Sequence, residues 1–246
     1  MNLLLVETSE IDGGVALIRG RRARHAHRVL GARPGDELRI GVARGGVGRA
    51  EVLDAEPERL RLALKELSEP PAEPPIDLVL ALPRPKAVGR VLQAVASMGV
   101  RRVDLVNAWR VDKTYFSSRR LDPEALAHEC WLGCEQGAHT YLPEVKLHPL
   151  LMPFLHESLA PRAKTRPILV FEPRAEAPLE HAMGPGMRSA VVLIGPEGGW
   201  IERELGALES LGGVAVSLGE RVLRTEVAAV AALAQLELLR RLDYSS

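Results

Sequence analysis

Hydrophobic positions keep one rhythm up to about residue 70 and another after it. In the first stretch they come in short runs broken by Gly- and Pro-containing turns. "LLLVE", "DELRIGV", "GRAEVLDAE" and "RLRLALKEL" predict strands, with Pro34 and Gly35 turning the chain into the second of them. The basic segment "RGRRARHAHRVLGAR" accommodates a short helix around 22–30. In "SEPPAEPPID" (68–77), Pro70, Pro71, Pro74 and Pro75 exclude helix and central strand, so a semi-rigid linker is expected. The boundaries that follow are a small, mostly β domain over residues 1–70 and a second domain over 71–246.

Beyond the linker, continuous apolar runs alternate with helical periodicity. "IDLVLAL" (76–82) predicts a strand covered on both faces. Val88, Val91, Leu92 and Val95 share one helix face, and Gly99 supplies a stop. "RRVDLVNA" (101–108), "RPILVFEP" (166–173), "SAVVLIGP" (189–196) and "VAVSLG" (214–219) predict further strands. "DPEALAHECWLGCEQG" predicts a helix with Asp122 as N-cap and Pro123 at its first position. "IERELGALESLG" and "TEVAAVAALAQLELLRRL" predict two more, the last apolar almost all round and therefore covered on several sides. Strand alternating with helix predicts an α/β layer on a mostly parallel sheet.

Composition adds bounds rather than a function. The 246 residues suffice for one large domain or two smaller ones. Lys and Arg together number 32, as do Asp and Glu, so only the local distribution of charge can speak for nucleic acid. "MNLLLVETSE" is too short and lacks the basic leader of a secretory signal, and no run has the length of a membrane span. Cys130 and Cys134 make no disulfide framework, and a reduced, cytoplasmic protein is expected. Their i, i+4 spacing, with Leu126 nearby, reads as one buried helix face. His128 adds no credible fourth ligand, so no metal is expected.

Candidate chemistry concentrates in two glycine bends that follow strands: "GPEGG", Gly195 to Gly199, and "LGERVLRTE", Leu218 to Glu226. Ligands of open parallel sheets bind outside such strand ends. Glycines there either let a ligand reach the backbone or only make tight turns. A triphosphate is a poor fit, because no lysine follows "GPEGGW" and Glu197 sits inside the bend. The dinucleotide fingerprint is absent as well. A nucleoside carrying a positive centre suits an acid-bearing loop better.

"IGPEGGW" followed by "VSLGERVLRTEVAA" resembles the paired C-terminal motifs of the RsmE-type 16S ribosomal RNA uridine-N3 methyltransferases, members of the SPOUT superfamily. That resemblance implies a SPOUT-type α/β knot methyltransferase domain with a small N-terminal PUA-like β-barrel domain. It also implies S-adenosyl-L-methionine as cofactor, bound in a trefoil-knot cleft, and a homodimer acting on ribosomal RNA or the small ribosomal subunit. The matching cofactor positions are Phe171, Gly195, Pro196, Gly199, Val216, Ser217, Leu218, Gly219, Val222 and Leu223.

The implied reaction places a uracil N3 against an activated methyl group, so the protein must position the base and help the N3 proton leave. Arg224 is the first candidate to stabilise the developing uracil anion, Arg221 the second. Glu226 would orient an arginine, accept a proton, or merely favour the helix dipole, with Thr225 as N-cap. Glu197 would neutralise the sulfonium or cap the helix near Ile201.

No acid lies between Gly13 and Gly35, which makes Arg21, Arg22, Arg24, His25 and Arg28 candidate RNA-binding residues. Arg84 and Lys86 in a second basic stretch join them, although either stretch could be a solvated face. The chain departs from the family pattern at "LPRPKAVGR", at Met98 where an acid is usual, and at His139 where an arginine is usual. Those positions lie on the expected RNA side, which makes the methyl donor the firmer expectation. Two alternatives follow: a methyltransferase for a different ribosomal or transfer RNA base, or a non-catalytic RNA-binding module with a vestigial cofactor pocket.

Overall fold

In the computed structural model, which describes residues 2–182 and 189–243, the change of rhythm becomes a change of sheet type. The chain divides into two compact units, Met1–Glu73 with Trp131–Leu142, and Pro74–Cys130 with Pro143–Ser246. The return of 131–142 to the first unit has no counterpart in the reading of the sequence.

The first unit holds six strands: β1 (Leu4–Val6), β2 (Ile11–Asp12), β3 (Val15–Arg19), β4 (Glu37–Val42), β5 (Val47–Ala55) and β6 (Arg59–Leu67). Their order is β1-β4-β5-β6-β3-β2, antiparallel except for the β1–β4 pair. Gly13 and Gly14, with φ of +55° and +78°, make the tight β2–β3 turn that a side chain would strain. Register shifts between Gly48 and Ala50, and between Val52 and Asp54, break the pairing of β5 with β6. Such bulges bend a strand and add twist, which curls the sheet. Its inner face buries Val6, Ile18, Ile40, Val52, Leu60 and Leu62. Helix α1 (Arg21–Arg28) closes that core with Ala23 and Ala26, one turn apart, leaving its arginines outside.

The second unit is built on six parallel strands: β7 (Ile76–Ala81), β8 (Arg102–Val106), β9 (Glu144–His148), β10 (Ile168–Phe171), β11 (Ala190–Ile194) and β12 (Gly213–Val216). Their order is β12-β10-β11-β7-β8-β9. Helices α2 (Pro85–Ser97), α3 (Pro123–Gly137), α4 (Leu151–Phe154), α5 (Ala160–Ala163), α6 (Leu179–Ala182), α7 (Glu202–Ser210) and α8 (Thr225–Asp243) connect or follow them, with a π turn over Leu155–Leu159. Strands β7, β10 and β11 are buried at every residue, as apolar runs without alternation require. Gly99, at φ +77°, ends α2 where a stop was expected, and α2 packs against α8. Strand β9 and the helical run 151–163 are absent from the sequence expectations. Pro149 precedes that run and Pro153 and Pro161 punctuate it, masking its periodicity. Among the described residues, no helix is long and apolar enough to cross a membrane.

Two fully buried acids interrupt this apolar sheet. Asp77 accepts two 2.5 Å hydrogen bonds from Arg101 and longer ones from Arg162 and Arg166. Asp104 meets Arg102, Arg162 and His148, the last at 2.7 Å. Burial pushes the Asp104 carboxyl up, but the His148 hydrogen bond and the charges of Arg162 and Arg102 outweigh it and hold the group below its ordinary value. Arg162 bridges both acids, so one guanidinium couples β7 to β8 from the segment that follows the π turn.

Candidate active site

Strands β10, β11 and β12 end level with one another, Phe171 beside Ile194 on one flank and Val216 on the other. The three loops that leave them surround a cleft. Eight sequence-predicted residues line it: Phe171, Gly195, Pro196, Gly199, Leu218, Gly219, Val222 and Leu223. Val216 and Ser217 do not. Val216 is fully buried within β12, and the Ser217 hydroxyl accepts from the Gly219 N–H and donates to the Gly219 carbonyl, fixing the bend from behind.

Local chemistry explains the bends. A Cβ at Gly195 would stand 2.9 Å from the indole nitrogen of Trp200, so only glycine lets the chain pass under that ring. Gly199 and Gly219 adopt φ of +74° and +123°, conformations that side chains disfavour. The Gly199 N–H donates to the Pro196 carbonyl at 2.8 Å and closes the first bend. Thr225, buried at the start of α8, donates from its hydroxyl to the Gly195 carbonyl at 3.3 Å, tying the second glycine loop to the first. Trp200 is 5% exposed, and among the described residues its Nε1–H has no acceptor.

Sequence reasoning missed several residues of the cleft and its surroundings. Glu172 lines it as a half-buried carboxylate directly after Phe171, and Trp200 forms its wall. Arg110, from the loop after β8, packs over Gly198 and donates to its carbonyl oxygen. Position after a strand end flags Glu172, but nothing in the spacing of residues links Arg110 to a turn so far along the chain.

Of the candidate catalytic residues, Arg221 lines the cleft and Arg224 does not. Arg224 is exposed and holds the N-cap position, its carbonyl accepting from the Ala228 N–H at 2.8 Å. The expected cap, Thr225, is instead the first helical residue. Glu226 lies half-buried in the first turn of α8, away from the cleft lining. Glu197 lines the cleft. The capping role weighed for it belongs to Glu204, whose buried carboxylate accepts from Ile201 N–H at 3.0 Å and from Trp109 N–H at 2.7 Å.

In the first unit, acids from elsewhere compensate the basic segment. Arg21 pairs with Glu135 at 2.8 Å, Arg22 with Glu10 at 2.6 Å, and Arg24 with Glu58 at 2.7 Å. Arg22 also donates to the Leu5 carbonyl and lies over the Trp131 ring. His25 is half-buried and Arg28 exposed. In the second unit, Arg84 and Lys86 are exposed at the start of α2. Met98 is 39% exposed, and His139 lies half-buried in the 131–142 segment of the first unit. Cys130 and Cys134 are buried, and burial pushes the Cys130 thiol up to about 12, with Glu129 adding to the effect. Among the described residues, no three His, Cys, Asp or Glu side chains gather as metal donors.

Residues 70–237 match a family described as RNA methyltransferase domain. The chain is 30% identical over 241 residues to the ribosomal RNA small subunit methyltransferase E of Treponema pallidum, covering 95% of this chain and 90% of that one. It is 30% identical over 239 residues to the enzyme of the same name from Mycobacterium bovis, with coverage of 94% and 89%. Its fold is that of the solved ribosomal RNA small subunit methyltransferase E from Neisseria gonorrhoeae bound to S-adenosyl methionine. The TM-score is 0.73 at 21% identity, over 96% of this chain and 98% of that one. With those relatives and with a glycine-walled cleft at the ends of β10, β11 and β12, the chain belongs to the RNA methyltransferase family, among the ribosomal RNA small subunit methyltransferases E.

Proposed function

We propose that this protein is an S-adenosyl-L-methionine-dependent methyltransferase that modifies N3 of a uridine in 16S ribosomal RNA. The observation that carries the reading is the cleft itself: two glycine bends tied through Thr225 and Gly195 and walled by Trp200. Apolar flanks from Ile194, Leu218, Val222, Leu223 and Ala228 suit the faces of a purine, and exposed backbone suits its edge. The Treponema and Mycobacterium relatives are named for ribosomal RNA methylation, and the Neisseria structure holds S-adenosyl methionine.

Gly195, Pro196, Gly199, Leu218, Gly219, Val222 and Leu223 would hold the cofactor, with Phe171 at the floor. Val216 and Ser217 would support those residues from beneath. When bound, the cofactor supplies a methyl group already activated on a sulfonium. Glu172 and Glu197 bring negative charge to the cleft, which favours a cationic ligand. Arg221 is the arginine we assign to the uracil anion, because it reaches the cleft. Arg224 acts beside it as a phosphate contact, and Glu226 serves the dipole of α8. Glu172 accepts the N3 proton.

Further parts of this reading are a trefoil knot, homodimerisation and a cytoplasmic location. The exchanged order of β10 and β11 supports the knot. Leu238 and Leu242, 57% and 58% exposed on α8, support a face shared between two copies. Residues 1–70 would form an RNA-binding PUA-like domain, and residues 71–246 the methyltransferase domain.

Calorimetric titration with S-adenosyl-L-methionine should show saturable one-site binding. Small-subunit RNA from a strain lacking the gene should gain one methyluridine after incubation with enzyme and cofactor, resolved by mass mapping of nucleosides. Binding heat without any methylated nucleoside would support a vestigial pocket instead. Methylation of a different base would move the target while keeping the class.

A further inference from the structure

Beside the cofactor cleft, and sharing its Glu172 and Trp200 walls, runs a second, more open groove of about 950 Å³. Three arginines line it: Arg110, Arg174 and Arg203. Among the described residues, no carboxylate pairs with any of the three, and the side chain of Arg110 bonds only the Gly198 carbonyl. This contrasts with α1, where Arg21, Arg22 and Arg24 are each held by an acid. Glu172 and Glu202 also line the groove, so it is not uniformly basic. Their carboxylates pair with neither Arg174 nor Arg203, and guanidiniums left open near a surface favour phosphate oxygens.

A second observation bears on the same place. Trp109, next to Arg110, is 75% exposed, an unusual position for so large an apolar ring. Its backbone is fixed all the same, because its N–H donates to the buried carboxylate of Glu204 in the first turn of α7. Arg203 precedes Glu204 on that turn. A solvent-facing indole on a fixed stretch of backbone, beside arginines without carboxylate partners, is the combination with which proteins grip single-stranded nucleic acid, by stacking a base and tracking the backbone.

Resting on the methyltransferase reading, we propose that this groove seats the RNA strand flanking the target nucleotide. Arg174 and Arg203 contact its phosphates, and Trp109 stacks on an unpaired base next to the target. Arg110 is a positioning residue: it borders the groove and clamps the Gly198 turn of the cofactor cleft. The RNA chain and the cofactor therefore meet across one shared wall, that of Glu172 and Trp200.

The test uses the full chain and two titrations, one with S-adenosyl-L-methionine and one with a single-stranded, uridine-containing RNA 12-mer at several salt concentrations. Arg174→Gln and Arg203→Gln should each weaken RNA binding several-fold. Each should also make the slope of log affinity against log salt shallower by roughly 0.7 per lost phosphate contact. Trp109→Ala should weaken RNA binding about ten-fold without changing that slope, as loss of stacking requires. All three should bind S-adenosyl-L-methionine as the wild type does. Lys146→Gln, an equal charge change at a lysine paired with Glu144 on β9, should change neither titration. Wild-type RNA affinity and salt slope in the two arginine variants would overturn the proposal, as would an equal effect from Lys146→Gln. Absence of S-adenosyl-L-methionine binding in the wild type would instead remove the methyltransferase reading and leave the RNA result to stand by itself.

Discussion

Asp77→Asn isolates charge from shape, because the replacement keeps the volume of the side chain and leaves no cavity. Asp77 is fully buried and takes four charge-assisted hydrogen bonds from Arg101, Arg162 and Arg166, whose side chains are 23%, 13% and 17% exposed. An amide offers one acceptor and turns its NH₂ toward cations. Arg101 and Arg166 then lose the Asp77 charge, and Arg162 keeps only Asp104, in a place water barely reaches. Breaking a buried ion pair from one side costs about 3–5 kcal/mol, a large share of the roughly 5–15 kcal/mol that holds a domain folded. With a urea m-value near 3 kcal/mol/M for a chain of this size, the unfolding midpoint should fall by about 1–1.7 M at constant m. Asp77 sits near the start of β7, at the opposite end of the sheet from the cleft, so affinity for S-adenosyl-L-methionine at low urea should not change. A midpoint shift under about 0.3 M, less than 1 kcal/mol at that m, would refute the reasoning. It would mean that the arginines find solvent or other partners at little cost.

Gly195→Ala should weaken S-adenosyl-L-methionine binding by ten-fold or more in calorimetry. Its Cβ would meet three atoms of the Trp200 ring at 2.9–3.2 Å and push that ring into the cleft. Arg221→Gln should lower kcat by about 10²-fold, the scale of losing one preorganised group beside a developing anion, while the cofactor dissociation constant stays near wild type. Asp104 has its folded pKa held below the ordinary 3.8. It therefore contributes stability that is complete above the unfolded value and is lost as pH falls through the folded one. Asp104→Asn should be clearly less stable than wild type at pH 6, and the gap should narrow in urea titrations carried from about pH 4 downward.

Much of the sheet was legible because burial on both faces writes itself as apolar runs without alternation, as in "LVLAL" and "AVVLIG". The cleft was legible for a different reason: its walls come from two short, glycine-rich segments whose backbone conformations few other residues allow. Arg110, Glu172 and Trp200 escaped notice because their roles arise from tertiary placement alone. Arg221 and Arg224 show the limit within a motif. Both belong to "GERVLRTE", and only the backbone path after Gly219 decides which one reaches the cleft. The pairing within the basic segment escaped in the same way, since Glu10, Glu58 and Glu135 come from beyond its ends to meet it. Buried acids in β7 and β8 carry no periodic signal at all; each sits in an apolar run that would read the same without it.

Strand β11 is the keystone of the second unit. It stands between β10 and β7, and only through it do the pair β12–β10 and the trio β7–β8–β9 become one sheet. The residue after its last one is Gly195, whose backbone is both the first glycine bend and the acceptor for Thr225. Completing the fold and opening the binding cleft are thus one event in the life of the chain. A half-assembled enzyme has no place to hold its methyl donor, and so cannot act on RNA before it is finished.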